Sequence, residues 1–326
     1  MVTVDEILER AHVVSLPMAV RFRGVDRREA LLIDGPEGWG EFSPFLEYGA
    51  REASAWLAAG LEAAFVGLPE ARGSVEVNGT IPAVEAGRVP GIMARYPGVR
   101  TFKVKVAEAG QSLADDIARV NAVREAMPEA VIRVDANRGW TVEQAVEAAG
   151  ALGDLEYIEQ PCATVEELAR LRGLTDTPIA ADESIRKASD PFRVAEYQAA
   201  DVAVVKVAPL GGVRRLVEIS RALDLSLTVA SALDTAVGIY AGLVAAKVAG
   251  SRAAGLATQR LFVEDVVEPG ELIDGHLAIC APVPDPVRLH ELRAAPKRKD
   301  WWFQRVADAH AQLSAGDLPG NMASGR

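Results

Sequence analysis

Residues 101–106 of this 326-residue chain read Thr101-Phe102-Lys103-Val104-Lys105-Val106. Side chains alternate between the two faces of a strand, so Lys103 and Lys105 share one face. Two such lysines can protect an exposed strand edge from unwanted pairing. In a parallel barrel, however, apolar residues cover both faces of each strand, and lysines that point outward gain nothing. We therefore interpret this stretch as a barrel strand whose lysines point into the mouth of the barrel.

Charged residues continue to follow short apolar runs for the next hundred residues. The successive intervals are 30 residues from Lys105 to Asp135, 24 from there to Glu159, 23 to Asp182 and 24 to Lys206. Each spacing is about the length of one strand plus one helix, as in a βαβ unit. Seven or eight such units with nearly continuous apolar strands predict a closed parallel barrel rather than an open doubly wound sheet.

The first part of the chain has a different pattern. Strand-like segments between residues 13 and 42 are separated by turn-forming sequences, and an Ala-rich helical stretch over 51–65 follows them. Strands followed by a helix, without alternation, predict a small α+β domain. We expect that domain over residues 1–74 and the barrel over 75–280. The C-terminal segment, 281–326, is expected to pack back on these two.

The overall composition excludes several classes of protein. Lys plus Arg total 35 against 46 for Asp plus Glu, a net charge of −11, which argues against nucleic-acid binding. Cys162 and Cys280 lack disulfide or metal spacing. The first ten residues do not form a signal peptide, and no apolar run approaches the roughly 20 residues that span a bilayer. We expect a cytoplasmic enzyme that acts on a small-molecule carboxylate, without nucleic-acid or membrane partners. Its oligomeric state stays open, a monomer included.

Asp135, Glu159 and Asp182 each stand at the carboxyl end of a predicted strand, where the catalytic groups of barrel enzymes lie. Any one of them could instead cap a helix, but three on consecutive strands favour a shared site. Buried charges are costly unless they pair or bind a metal. Because these segments hold no histidine and Cys162 stands alone, the oxygen donors favour Mg²⁺, with Mn²⁺ as a substitute, over zinc.

Lys105 and Lys206 would face each other across this row of carboxylates, since they end strands on opposite sides of the predicted barrel. Lys206 could also extend from the barrel rim into solvent. A desolvated lysine beside a cation has a depressed pKa and can act as a base near neutral pH. The arrangement therefore suits abstraction of a weakly acidic proton next to a carboxylate group.

Five motifs in this order resemble the enolase superfamily. They are residues 102–105, 133–137, 158–161, 181–184 and 205–206. A Lys-x-Lys motif with a further lysine across the barrel is similar to the muconate-lactonising-enzyme subgroup. Four further segments resemble an actinobacterial dehydratase branch of that subgroup, which serves menaquinone biosynthesis. These are residues 38–45, 206–212, 231–235 and 255–258.

The resemblance implies a modified TIM barrel, (β/α)7β, with an N-terminal α+β capping domain that the C-terminal tail completes. It implies that Asp135, Glu159 and Asp182 bind Mg²⁺, which holds the carboxylate of the substrate. Lys105 would remove the α-proton of a succinyl-substituted hydroxycyclohexadiene carboxylate. It would then return this proton to the departing hydroxyl in a syn elimination.

The remaining site residues are implied in the same way. Lys206 would stabilise the anionic intermediate as a cation, and Lys103 would support Lys105 by like-charge repulsion. The substrate-binding candidates are Asn137, Arg133 and Ser231, the last for the succinyl carboxylate. Glu183 would support the metal ligands without binding the metal itself. The segment 38–48 of the capping domain would close the mouth of the barrel.

Two other interpretations stay open. The same residues suit N-acylamino-acid racemisation or dipeptide epimerisation, in which Lys105 and Lys206 act as opposed bases. One position also departs from the resemblance. Asp234 stands where such relatives often carry glutamate, so the contacts to the substrate side chain stay open. A catalytically silent barrel that only binds is disfavoured, because a binding role requires neither three carboxylates nor two opposed lysines.

Overall fold

The computed structural model describes residues 2–22, 24–186 and 191–315. The N-terminal elements are α1 (Val4–Glu9), β1 (Ala11–Phe22), β2 (Val25–Gly35), β3 (Gly38–Phe42) and α2 (Ala50–Leu61). The three strands form an antiparallel sheet in the order β1-β2-β3. A π-helical turn, Glu62–Val66, extends α2. This part has the α+β arrangement that the sequence predicts.

Strands and helices then alternate. The elements are β4 (Ser74–Glu76), β5 (Gly79–Ile81), α3 (Val89–Met93), β6 (Thr101–Lys105), α4 (Leu113–Ala126), β7 (Val131–Asp135), α5 (Val142–Leu152), β8 (Tyr157–Glu159), α6 (Val165–Arg172), β9 (Ile179–Ala181), α7 (Glu183–Arg186), α8 (Arg193–Glu196), β10 (Val202–Val205), α9 (Val207–Leu210), α10 (Val213–Leu223), β11 (Ser226–Val229) and α11 (Ala236–Ala249). Short 3₁₀ turns cover Ala86–Arg88 and Thr258–Leu261. Strands β5 to β11 form one parallel sheet in sequence order.

The segment around Ala254 joins the two edges of this sheet. Ala254 bridges Val77 beside the first strand, and Gly255 bridges Ala230 beside the last, both in parallel orientation. The eighth strand that the sequence predicts near residues 253–256 is therefore present as short bridges. The fold class is the predicted modified TIM barrel.

The first predicted barrel strand, 75–81, is divided in the structure. Its first half, β4, pairs with the hairpin of β12 (Leu272–Ile273) and β13 (His276–Ala278), while β5 enters the barrel. Gly79 begins β5, and a Cβ there would come within 2.6 Å of the Phe102 ring. The absence of a side chain lets β5 pair closely with β6.

Hydroxyl side chains cap three of the barrel helices. Ser112, Thr141 and Thr164 precede α4, α5 and α6, and each accepts a hydrogen bond from the backbone N–H three residues later. Across the described ranges of the chain, no helix is long and apolar enough to cross a membrane.

The chain ends with α12 (Pro286–Glu291) and α13 (Pro296–Ser314), and α13 packs on the N-terminal part. Trp302 is fully buried, with its ring perpendicular to that of Phe42 at 5.9 Å between centroids. Its indole N–H donates to Glu29 at 3.1 Å. We call the N-terminal α+β part together with α13 the cap. Residues 316–326 of the predicted C-terminal segment lie outside the described residues.

Trp302→Ala is expected to lower the free energy of unfolding by about 3–5 kcal/mol, because it removes a buried aromatic ring and leaves a cavity. Urea denaturation measures this change. Trp301→Ala is the matched control, since Trp301 is 38% exposed, and it should cost about 1 kcal/mol or less. Equal losses in the two variants would contradict the packing of α13 on the N-terminal α+β part.

Candidate active site

Five charged side chains meet at the carboxyl ends of consecutive strands. Lys105, Asp135 and Glu159 end β6, β7 and β8, and the strand register places Lys105 beside Asp135 and Asp135 beside Glu159. Asp182 and Lys206 follow directly after β9 and β10. All five are buried. The structure thus brings the charges of the sequence motif together at one end of the barrel.

Strand alternation explains why these side chains face the barrel interior. Val204 and Tyr157 belong to one apolar cluster, whereas Val205 packs in the larger cluster that the helices share. Lys206 has the same parity along its strand as Val204, and Glu159 has the same parity as Tyr157. Both charged side chains therefore point to the same side as the interior cluster.

A small, partly enclosed cavity of about 40 Å³ lies between these charges and the cap. Phe45, in the loop after β3, lines it from the cap side, as the sequence predicts for the segment 38–48. A wider cavity of about 910 Å³ reaches Lys105 and Asn137 from outside, between the end of β1 and the barrel. The charged residues therefore lie beneath the cap at the end of an open approach.

The three lysines contact the three carboxylates directly. Lys103 Nζ lies 2.9 Å from Glu159 Oε2 and 3.6 Å from Asp135 Oδ2. Lys105 Nζ lies 2.5 Å from the same Asp135 oxygen. Lys206 Nζ lies 2.5 Å from Asp182 Oδ2. Charge-assisted hydrogen bonds of this kind stabilise both partners in their ionised forms.

The ion pairs lower the pKa values of two of the carboxylates. Burial would raise the pKa of Asp135, but the Lys105 and Lys103 ammonium groups outweigh it and hold that pKa below its usual range. The pKa of Asp182 is lowered in the same way, with Arg186 and Lys206 outweighing burial.

Glu159 behaves differently, because burial and the nearby Asp135 carboxylate raise its pKa to about 7. Burial lowers the pKa of Lys206, although Asp182 opposes this. The cavity therefore contains a carboxylate and an amine whose pKa values both move toward neutrality. Such shifts are typical of functional sites.

Asp135, Glu159 and Asp182 have the chemistry of a hard cation site, with oxygen donors and no sulfur or imidazole. Among the residues that the structure describes, no three acidic, histidine or cysteine side chains already converge as metal ligands do. Each of the three carboxylates instead contacts an ammonium or guanidinium group. These side chains could hold a divalent cation in place of their ammonium contacts, because their strand ends are adjacent.

The other sequence candidates occupy different positions. Asn137 Oδ1 accepts a hydrogen bond from Lys105, and its amide donates to Glu183 at 3.3 Å. Ser231 lines the enclosed cavity, and its hydroxyl lies 2.6 Å from that of Thr258. Thr258, which the sequence reasoning missed as a site residue, lies in a segment that the family resemblance already contains.

Arg133 lies away from the cavity, deeper in the barrel. It shares the inward face of β7 with Asp135 but sits two residues earlier, stacked over the Tyr157 ring at 4.9 Å. Its guanidinium donates to Glu156 at 2.6 Å and to the Ala253 carbonyl at 2.6 Å. Arg133 is absent from the lining of the enclosed cavity. At this position Arg133 joins neighbouring segments of the barrel, and the placement does not support substrate binding.

Two buried side chains of the cap that the sequence reasoning missed join it to the barrel. Arg28 donates to the Leu233 carbonyl at 3.0 Å and to the Ser43 carbonyl, with its guanidinium 4.8 Å from the Phe45 ring centre. Glu41 accepts hydrogen bonds from the Thr235 hydroxyl at 2.6 Å and from the backbone at the start of α11. No local sequence signal marks the contact of Arg28 with Leu233, which lies 205 residues away. Glu41 lies in the segment 38–45 that the family resemblance already contains, but its partner Thr235 lies 194 residues away.

Burial and the neighbouring Asp234 carboxylate raise the pKa of Glu41 to about 7. Asp234 is itself buried, and its carboxylate accepts a hydrogen bond from the Ala232 N–H at 3.0 Å. Asp234 of the barrel therefore lies close to the buried Glu41 of the cap.

Two family models match the chain in the same order as its two structural parts. The enolase N-terminal domain-like model matches residues 13–64, and the enolase C-terminal domain-like model matches residues 92–285. The chain belongs to the enolase superfamily. In this chain, three carboxylates and two opposed lysines lie at the barrel mouth.

Curated relatives named o-succinylbenzoate synthase align over nearly the whole chain. That of Mycolicibacterium smegmatis is 60% identical over 95% of this chain and 98% of its own length. That of Mycobacterium leprae is 56% identical over 98% of this chain and 97% of its own. That of Mycobacterium tuberculosis is 55% identical over 95% and 96%.

Solved structures support the same fold. Muconate lactonizing enzyme from Pseudomonas putida superposes with a TM-score of 0.71 at 24% identity, covering 87% of this chain and 98% of that one. The enzyme from Pseudomonas fluorescens, complexed with muconolactone, gives a TM-score of 0.73 at 24% identity over the same shares.

Arg28→Met is expected to lower the free energy of unfolding by about 2 kcal/mol, because buried carbonyls of the cap and the barrel lose a charged donor. Urea denaturation measures the loss. Arg27→Met is the matched control, since the neighbouring Arg27 is exposed and bonds to Ser15 within the β1–β2 sheet. A loss no larger than that of the control would contradict the role of Arg28 in joining the two parts.

Proposed function

We propose that this protein is a Mg²⁺-dependent o-succinylbenzoate synthase. It would convert 2-succinyl-6-hydroxy-2,4-cyclohexadiene-1-carboxylate to o-succinylbenzoate and water in menaquinone biosynthesis. The observation that carries the proposal is the cavity that Lys105 and Lys206 line together with Asp135, Glu159 and Asp182. The high identity to relatives of that name supports the choice of substrate over others of the superfamily.

Asp135, Glu159 and Asp182 would hold the divalent cation. Their oxygen donors suit Mg²⁺, and Mn²⁺ is a plausible substitute by the same chemistry. When bound, the cation would neutralise the substrate carboxylate and make the neighbouring C–H bond more acidic. We further propose that residues 1–74 and 281–326 serve to cover this site, and that residues 75–280 carry it.

Lys105 would supply the base. Its Nζ lies beside Asp135 and Asn137, which orient it at the rim of the enclosed cavity. Nζ, as the neutral amine, takes the proton from the ring carbon that bears the carboxylate, and the electron pair of that C–H bond is delocalised into the carboxylate group. This electron pair forms the new C=C bond as the C–O bond of the neighbouring hydroxyl breaks, and Lys105 returns the proton to the departing oxygen. Water leaves from the same face, and the ring becomes aromatic.

Lys206 and Lys103 would act through their charge. The Lys206 ammonium stands at the other end of the carboxylate row, beside Asp182, and would stabilise negative charge that develops on the ring. Lys103 bridges Glu159 and Asp135 from below, and would hold both carboxylates in place. Ser231, with Thr258, would bind the succinyl carboxylate at the cavity wall.

Lys105→Ala is expected to lower kcat for dehydration by about 10²–10⁴-fold, because general base catalysis is lost. The measurement is the ultraviolet absorbance of the aromatic product at saturating Mg²⁺. Lys247→Ala, an exposed lysine on α11, is the control and should leave kcat unchanged. Retained activity in Lys105→Ala would exclude Lys105 as the base.

The proposal as a whole has a separate test, because the same residues suit racemisation. Wild-type protein would be incubated in deuterium oxide with an N-succinyl amino acid, and exchange at the α-carbon would be followed by NMR. A dedicated dehydratase should exchange little. Racemisation of this compound without turnover of the cyclohexadiene would show the proposed function to be wrong.

Mg²⁺ is expected to raise the thermal midpoint of unfolding, since a ligand that binds only the folded state stabilises it by about 2.7 kcal/mol at 100 times Kd. Differential scanning calorimetry with and without EDTA measures the shift. Glu159→Gln should reduce the shift strongly, whereas Glu147→Gln, on the exposed face of α5, should not. Fully folded wild-type protein without any response to Mg²⁺ would argue for a barrel that only binds.

A further inference from the structure

Arg186, the last residue of α7, connects the barrel to the cap through one buried guanidinium. Its Nε donates to Asp182 Oδ1 at 2.8 Å, and its Nη2 donates to Glu183 Oε1 at 2.5 Å. The remaining arm, Nη1, donates to the hydroxyl of Tyr48 at 2.5 Å. The side chain is 1% exposed. Two of its acceptors therefore belong to the barrel and one belongs to the cap.

The cap fixes the position of the Tyr48 hydroxyl. Tyr48 lies in the loop between β3 and α2, and its ring packs perpendicular to those of Phe45 and Trp56 at centroid distances of 5.8 and 6.0 Å. Arg305 of α13 donates to the carbonyl of Tyr48 at 2.8 Å and to that of Phe45 at 2.6 Å. The same loop that places Phe45 over the cavity thus places the Tyr48 hydroxyl against Arg186.

The Asp182 carboxylate divides its two oxygens between different partners. Oδ1 accepts from Arg186, and Oδ2 lies 2.5 Å from Lys206 at the cavity. Because Arg186 holds Oδ1, rotation of the carboxylate is restricted and Oδ2 stays on the cavity side. A planar guanidinium is suited to this task, since its N–H groups have fixed directions.

We propose that Arg186 and Tyr48 are positioning residues for the divalent cation. Tyr48 holds the guanidinium of Arg186, and Arg186 in turn holds Asp182 with Oδ2 toward the cation. The proposal rests on the assignment of Asp182 as a ligand in the proposed function. It adds that the cap contributes to cation affinity without supplying a ligand.

This connection makes the cap loop and the cation site thermodynamically linked. A cation that requires one orientation of Asp182 also favours the cap position in which Tyr48 meets Arg186, and the effect is reciprocal. Partners that orient metal ligands from outside typically change affinity by about 10–100-fold when removed. Loss of one hydroxyl at the far side of Arg186 should act at the lower end of this range.

Tyr48→Phe tests the connection with the smallest change, because it removes only the hydroxyl. The full-length protein would be titrated with Mn²⁺ in the absence of substrate, and free Mn²⁺ would be followed by electron paramagnetic resonance. We expect the dissociation constant to rise about tenfold. Tyr240→Phe, a half-buried tyrosine on α11, is the matched control and should leave it unchanged.

A double-mutant cycle separates this connection from a general loosening of the cap. Arg186→Lys keeps the positive charge but cannot reach three acceptors in fixed directions. In that background, Tyr48→Phe should change the dissociation constant by less than about twofold, as expected for residues that act through one another. A full tenfold effect in both backgrounds would overturn the proposal. So would a Tyr48→Phe variant with a lower melting temperature and an unchanged dissociation constant.

The outcome is distinguishable from failure of the proposed function, since Mn²⁺ binding is measured without turnover. Wild-type protein that dehydrates the cyclohexadiene, with equal Mn²⁺ affinity in Tyr48→Phe, overturns the connection alone. Wild-type protein without dehydratase activity overturns the proposed function, and a tenfold loss of Mn²⁺ affinity in Tyr48→Phe still supports the connection.

Discussion

Neutralisation of buried charge at the barrel mouth is the constraint on which the structure depends. Three carboxylates and three lysines lie there with almost no exposure to water. Transferring an ion from water into the protein interior costs roughly several kcal/mol, even after the surroundings relax, unless an opposite charge compensates it. Opposite charges therefore stand 2.5 to 3.6 Å apart. The strand register sets these distances, because each strand delivers its charged residue at the same end of the sheet.

The cap depends on a different kind of electrostatic contact. Arg28 and Arg305 are buried, and their guanidinium groups donate mainly to backbone carbonyls of the loop after β3 and of the barrel. Arginine stays charged across neutral pH, and burial together with the nearby Arg28 charge lowers the pKa of Arg305 only to about 10. Contacts of this type therefore persist while the carboxylates in the cavity change protonation. The loop that carries Phe45 thus keeps these contacts across neutral pH.

Local patterns in the sequence were sufficient to predict the barrel and the charged residues at its mouth. Each βα unit carries its own period and its own charge at the strand end, so no long-range information is required. Arg133 shows the limit of that reasoning, since periodicity identifies the face of a strand but not the depth along the barrel axis. The spacing of four between Asp182 and Arg186 is a local helical signal that could have been used. The partnership of Arg186 with Tyr48 has no such signal, because it crosses 138 residues.

The cap is built from both ends of the chain, and this determines when it can form. The bond from Arg305 to the Phe45 carbonyl joins residues 260 positions apart. On a ribosome, the barrel strands emerge and can pair before α13 has been synthesised. Part of the apolar surface of the first seventy residues therefore stays uncovered until α13 has been synthesised. Long-range closure of this kind is slow, because its loop entropy is lost before the contacts form. The enclosed site is thus one of the last parts of the molecule to be completed.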